Sequence, residues 1–303
     1  MNLPSGVHFF ERGWLSANNT LLVDEDQAVL IDTGYHSHGE QTLALIQSAL
    51  GPRALTHILN THLHSDHCGG NALLQQTFSN VLTYTPPGLA SHVRNWDPAA
   101  LSYTPTGQMC PEFALSDVLT EGKQLVVNGL SWEVHSAPGH DPHSVVLFCS
   151  KERILISADA LWENGFGVVF PEIEGEDAFH EVTDTLDLIG RLAPRLILPG
   201  HGAPFTDLDS ALARARSKLS RFVDAPEQHA SYAAKVLLKF KLLEFQKISL
   251  HAFTEWAASA SYLHLLHVRY AKHESFEGWV HYLCGSMQKS GACKFEDEFI
   301  LNA

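Results

Sequence analysis

Residues 55–70 run Leu-Thr-His-Ile-Leu-Asn-Thr-His-Leu-His-Ser-Asp-His-Cys-Gly-Gly. No other stretch constrains the chain as tightly. The apolar start through Leu59 reads as a buried strand. His62 and His64 are two apart, so on an extended segment both imidazoles face one side and share one metal ion. Asp66 and His67 then fall where the chain turns into a helix. Ser65 or Asp66 is a fitting cap for that helix, and Gly69-Gly70 let it pack closely. The carboxylate and imidazole at this corner suit a second ion beside the first.

The same grammar recurs along the chain. Val29–Ile31 ends in Asp32-Thr33-Gly34, and Trp132–Val134 leads to Pro138-Gly139-His140. Ile154–Ile156 leads to Asp159, and Leu196–Leu198 to Pro199-Gly200-His201-Gly202. Five strand ends therefore carry His or Asp, where a sheet gathers ligands.

These residues resemble the metallo-β-lactamase-fold hydrolase superfamily over roughly residues 5–215, with its H-x-H-x-D-H motif matched in full. The resemblance implies an α+β fold: an αβ/βα sandwich with a two-metal site at one edge. It implies His62, His64 and His140 as ligands of the first ion, and Asp66, His67 and His201 as ligands of the second. Asp159 would bridge both, and Asp66 and Asp159 are the expected catalytic carboxylates. Asp32 matches an early strand-end Asp that orients a ligand histidine. His143, three residues after a ligand, is expected to support that ligand or donate a proton. Trp162, Phe166 and Phe170, following Asp159, are expected to line an apolar pocket.

The ligand set implies chemistry. Imidazoles and carboxylates suit two zinc ions, with iron or manganese as further choices. Two such ions trap a bridging hydroxide, because zinc lowers the pKa of bound water to about 7. The expected reaction is hydrolysis of a small ester, thioester or lactone. A bridging Asp argues against β-lactams. Trp162 stands where acyl-homoserine lactonases usually have tyrosine. Glyoxalase II has a similar ligand set and a helical C-terminal region, but its basic glutathione-binding residues have no match here. The alternative is a nuclease or phosphodiesterase acting with the C-terminal region.

Charge divides the chain of 303 residues. Residues 1–212 hold 8 basic and 25 acidic side chains, net −17; residues 213–303 hold 12 and 9, net +3. The acidic part argues against polyanionic partners, which need a positive field. Two dications would reduce it to about −13. Short Val- and Ile-rich runs alternate with amphipathic ones up to residue 223, and hairpin signals at Asp24-Glu25-Asp26 and Asn128-Gly129 indicate a mixed sheet.

Residues 1–223 read as the catalytic domain, and 224–303 as a small, mostly helical extension beginning at an Asp224-Ala225-Pro226 linker. Ala233–Phe245, Leu250–Tyr270 and Phe276–Gln288 read as helices and Lys294–Leu301 as an edge strand, similar to a winged helix. The extension is expected to serve as a lid or a homodimer module. His264 and His267 are expected on a helix face rather than at a metal. The expected partner is a small-molecule substrate, not nucleic acid or a membrane. No apolar run approaches the roughly 18 residues of a membrane span, and Met1–Ser5 carries no secretory pattern. Five dispersed cysteines without C-x-x-C indicate free thiols and a cytoplasmic setting.

Overall fold

The computed structural model describes residues 3–303; Met1 and Asn2, part of the N-terminal stretch read above, lie outside the described residues. Two sheets face each other. The first orders β1 (Val7–Phe10), β2 (Asn19–Val23), β3 (Ala28–Ile31), β4 (His57–Leu59), β5 (Leu82–Thr85) and β6 (Asp117–Val118). The second comprises β7 (Gln124–Val127), β8 (Leu130–Ser136), β9 (Val145–Cys149), β10 (Ile154–Ala158) and β11 (Leu196–Pro199), in reverse spatial order.

Both sheets are mixed. Hairpin neighbours pair antiparallel, whereas β3 through β6, and β10 with β11, pair parallel. The two turn signals act as expected. Asp24 Oδ1 accepts from the Asp26 and Gln27 amides. Asn128 and Gly129 both have positive φ, 51° and 67°, the type I′ requirement between β7 and β8.

Alternating apolar residues fill the space between the sheets: Val29, Ile31 and Leu59 meet Trp132, Val134, Leu147, Ile156 and Leu198. The opposite faces are covered by helices. Ile46 and Leu50 of α1 (Gly39–Leu50) and Leu74 of α2 (Asn71–Thr77) pack on Leu21, Leu30 and Ile58. Leu186 and Ile189 of α3 (Phe179–Leu192) and Leu212 and Ala215 of α4 (Leu208–Asp224) pack on Val146, Leu155 and Ile197. This is an αβ/βα sandwich.

The remaining chain is a helical region with a small sheet. Ala225 alone separates α4 from α5 (Pro226–Phe245), so 224–226 is a tight corner rather than a loose linker. The stretch 250–270, expected as one helix, breaks into α6 (Leu250–Ser259) and α7 (Ser261–Tyr270). Ala260 is extended there and fully buried, and its small side chain lets the two helices close on the core formed with α5 and α8 (Phe276–Lys289). The tail expected as one edge strand is a hairpin, β13 (Cys293–Glu296) and β14 (Phe299–Asn302). It turns at Asp297, with φ of 51°, and β14 also pairs with β12 (Lys247–Ser249). His264 stacks on Phe276 and His267 meets the Glu274 carbonyl, both away from the histidine cluster. Among the described residues no helix is long and apolar enough to cross a membrane.

Candidate metal centre

The end of β4, the loop after β8 and the ends of β10 and β11 bring seven side chains together at one edge of the sandwich, with Asp32 from the end of β3 beside them. Three ring nitrogens converge first. His64 Nδ1 lies 3.0 Å from His62 Nε2 and 2.8 Å from His140 Nε2. Their outer bonds fix the tautomers. Thr61 Oγ1 donates its one proton to Asp32 Oδ2, so toward His62 Nδ1, 3.1 Å away, it accepts. His140 Nδ1–H donates to the Val168 carbonyl at 2.5 Å. Both Nε2 atoms therefore present lone pairs to one point. Burial, then His67 and His64, holds His62 well below its ordinary pKa. Burial, then His64, lowers His140 to about 3. Neutral imidazoles are the form that binds metal.

Asp66, His67 and His201 form a second group. His201 Nε2 is 3.1 Å from Asp66 Oδ2, and His67 Nε2 is 3.9 Å from the same oxygen. His67 Nδ1–H donates to Asp32 Oδ2 at 2.8 Å, leaving a buried Nε2 with no hydrogen-bond partner. Burial alone would depress this imidazole, but Asp32, Asp159 and Asp66 outweigh burial and hold it well above its usual pKa. The pocket thus favours positive charge at that nitrogen.

Asp159 stands between the groups. Its Oδ1 is 3.5 Å from His67 Nε2; its Oδ2 is 3.5 Å from His140 Nε2 and 3.8 Å from His201 Nε2. Burial opposes its ionisation, yet His201 and His67 hold it well below the usual carboxylate range. Among the described residues no Lys or Arg pairs with Asp32, Asp66 or Asp159. Buried carboxylates require a cation. Three triads could each hold an ion, with ligand atoms within 4.8 Å: His62/His64/His140, His62/His67/Asp159 and Asp66/His67/His201. The orphaned His67 Nε2, the pre-set tautomers and the nitrogen-oxygen donor set all fit divalent ions.

Two glycines make the packing possible. A Cβ on Gly167 would lie 2.2 Å from His140 Nδ1, and one on Gly200 would lie 2.2 Å from Asp159 Oδ1.

Residues 12–201 match the metallo-beta-lactamase superfamily. The chain belongs to that superfamily. A lactamase-like protein, nscB, of Aspergillus fumigatus is 26% identical over 239 residues, 78% of this chain and 59% of the relative. The chain therefore spans about three fifths of that relative's length. A hydroxyacylglutathione hydrolase of Idiomarina loihiensis is 26% identical over 148 residues, 48% of this chain and 47% of the relative.

Among solved structures, TTHA1623 in a di-iron-bound form is 27% identical with a TM-score of 0.55, covering 69% of this chain and 98% of that one. The family protein TTHA1429 of Thermus thermophilus is 19% identical and shares the fold over 99% of both chains, TM-score 0.58. The likeness of fold to that structure therefore takes in the C-terminal helices.

Trp162 and Phe170 line the cavity at the cluster, and Trp162 Nε1–H donates to Asp159 Oδ1. Phe166 does not line it. Its ring is buried against Phe222 under the Lys218 ammonium, which donates to the Phe166 carbonyl. His143 makes no side-chain bond to the seven residues. It packs over Gly88, while its amide donates to Asp141. Asp141 takes the expected place, with Oδ2 3.9 Å from His64 Nε2.

Further unexpected members are Trp14, stacked on His201 at 5.2 Å, and His229 of α5. His229 Nε2 accepts from the Val169 amide. The Val168 carbonyl and Val169 N–H belong to one peptide group, so α5 supports His140 through a single amide plane.

Proposed function

We propose that the chain is a dinuclear metal-dependent hydrolase of a small ester, thioester or lactone. The observation that carries this reading is Asp159, whose carboxylate lies between the two groups, Oδ1 3.5 Å from His67 Nε2 and Oδ2 3.5 Å from His140 Nε2 and 3.8 Å from His201 Nε2. In this reading His62, His64 and His140 hold one ion, Asp66, His67 and His201 the other, and Asp159 both. Two divalent ions there would supply Lewis acidity and a water of lowered pKa, at about 7 for zinc.

The chain's own residues do the rest. Asp32 and the Val168 carbonyl keep His67 and His140 turned with Nε2 free. Trp162 steadies Asp159. Trp14, Phe170 and the α5 residues Tyr232 and Leu237 wall the cavity with apolar surface and thin out bulk water. Hydrolysis adds the water oxygen to the acyl carbon and releases the alcohol or thiol.

The donor set suits zinc, and the di-iron relative makes iron the other ion to assay. We take 1–223 as the catalytic unit and 224–303 as its lid. The order of α5, β12, three further helices and the β13–β14 hairpin resembles a winged helix, with one helix more than three-helix forms. The apolar α5 wall over the cleft favours the lid role over nucleic-acid docking. Five free cysteines, with the Cys68 and Cys110 thiols hydrogen-bonded at 3.8 Å rather than joined in a disulfide, fit a cytoplasmic setting.

A panel of thioesters, lactones, carboxylic esters and bis-p-nitrophenyl phosphate, run on metal-assayed protein, tests the reading. Turnover of acyl compounds, lost in Asp159→Asn together with one ion, is expected. Turnover of the phosphodiester alone would replace this reading with a nuclease or phosphodiesterase.

A further inference from the structure

The cavity at the histidine cluster is small, about 80 Å³. That is roughly the liquid volume of three waters, enough for a reacting carbonyl and a few atoms. Anything larger must continue outward. Trp14, Tyr232, Val236 and Phe240 wall both this cavity and an outer groove of about 360 Å³. Leu243, Met287 and Ala292 extend the groove. Tyr232, Val236, Phe240 and Leu243 are spaced four, four and three apart on α5, one continuous stripe. Their span along the helix is about 16 Å.

The wall facing that stripe is Trp14, 56% exposed although it stacks on His201 and meets Trp162 edge-on. At the rim, Lys239 is satisfied by the Ala292 carbonyl and Asn302 Oδ1, whereas Lys235 is in no ion pair among the described residues.

We propose that this groove is the subsite for an extended apolar acyl chain, so that the substrate is an acyl ester or thioester of medium chain length. The proposal rests on the hydrolase reading above. A methylene occupies about the volume of a water, so the groove holds on the order of ten. Each methylene moved out of water favours binding about fourfold.

The test uses the zinc-loaded protein and p-nitrophenyl esters from acetate to dodecanoate. kcat/KM is expected to rise about fourfold per carbon and level off at about eight to twelve carbons. Leu243→Trp, which fills the groove, is expected to move the plateau to shorter chains; Met287→Trp is the second variant should the first not fold. Binding is read separately, by quenching of tryptophan fluorescence with N-methyl decanamide against N-methylacetamide. Flat kcat/KM across the series, with no decanamide binding, would overturn the subsite and leave the hydrolase reading standing. Decanamide binding without turnover of any ester would overturn the hydrolase reading and keep the subsite. Selective turnover of choline esters irrespective of chain length would overturn the subsite and place the substrate instead in the cavity beside Asp141, Glu174 and Glu176.

Discussion

Replacing Asp32 by Asn changes one oxygen into an NH₂ and should disturb both halves of the centre. Asp32 accepts three hydrogen bonds of 2.8 Å, from the Thr61 amide, the Thr61 hydroxyl and His67 Nδ1–H. Its φ is +57°, a conformation that Asn tolerates well, so the backbone needs no adjustment. The Asn carbonyl can keep the Thr61 amide. Its NH₂ then faces two donors. His67 must accept at Nδ1 and carry its proton on Nε2. The Thr61 hydroxyl must turn away and donate toward His62 Nδ1, which moves the His62 proton to Nε2 as well. Two charge-assisted bonds worth about 1.5–3 kcal/mol each are exchanged for neutral ones.

Because both Nε2 lone pairs are lost in the resting form, zinc affinity should fall about 10- to 100-fold. A competition titration with a chromophoric chelator measures the affinity, and ¹⁵N NMR of the imidazoles reads the tautomers. Zinc affinity within about threefold of wild type, with His67 still protonated at Nδ1, would refute the tautomer argument.

Other perturbations follow from the same geometry. Gly167→Ala puts a methyl 2.2 Å from His140 Nδ1; the variant should fold yet bind one ion fewer, which metal analysis with circular dichroism checks. His229 has its pKa lowered to about 4 by burial and Lys218, against about 6.5 unfolded. The unfolded chain therefore binds the extra proton between these values. His229's stabilisation is complete above pH 6.5 and fades as pH falls toward 4, by up to about 3 kcal/mol. Urea unfolding at pH 7.5, 6 and 5 should show a shallower pH dependence for His229→Gln than for wild type, and equal slopes would refute this. Lys241 is buried, donating to Glu244 and to the Gly107 carbonyl. Lys241→Met should cost about 3 kcal/mol by stranding Glu244, a loss visible as a lower urea midpoint.

What was legible in the sequence was local. His62, His64, Asp66 and His67 lie within six residues, so their spacing alone declares a shared point. His140, Asp159 and His201 were legible because each follows a strand of buried Val, Ile and Leu. The supporting contacts were not, because they are made by backbone or across long separations. The Val168 carbonyl carries no sequence signal, and residues 159–170 have no periodicity to say which aromatic faces the cavity. Phe166 and Phe170 are four apart, yet one enters the core beside Phe222 and the other meets His64. His143 has the right chemistry, but the turn closed by the Asp141 carboxylate on its amide places Asp141 beside His64 instead. Tyr232, which starts the α5 stripe, precedes the stretch 233–245 that reads as a helix, whereas Val236, Phe240 and Leu243 lie at helical spacing within it. Which part of it would face the cleft depends on the corner at Ala225.

Metal stoichiometry tests the central claim most directly. Wild-type protein saturated with zinc and desalted should retain two ions per chain by mass spectrometry. His140→Ala and His201→Ala, each removing a ligand from a different group, should retain one. Wild-type protein that retains one ion or none would contradict two adjacent sites sharing Asp159.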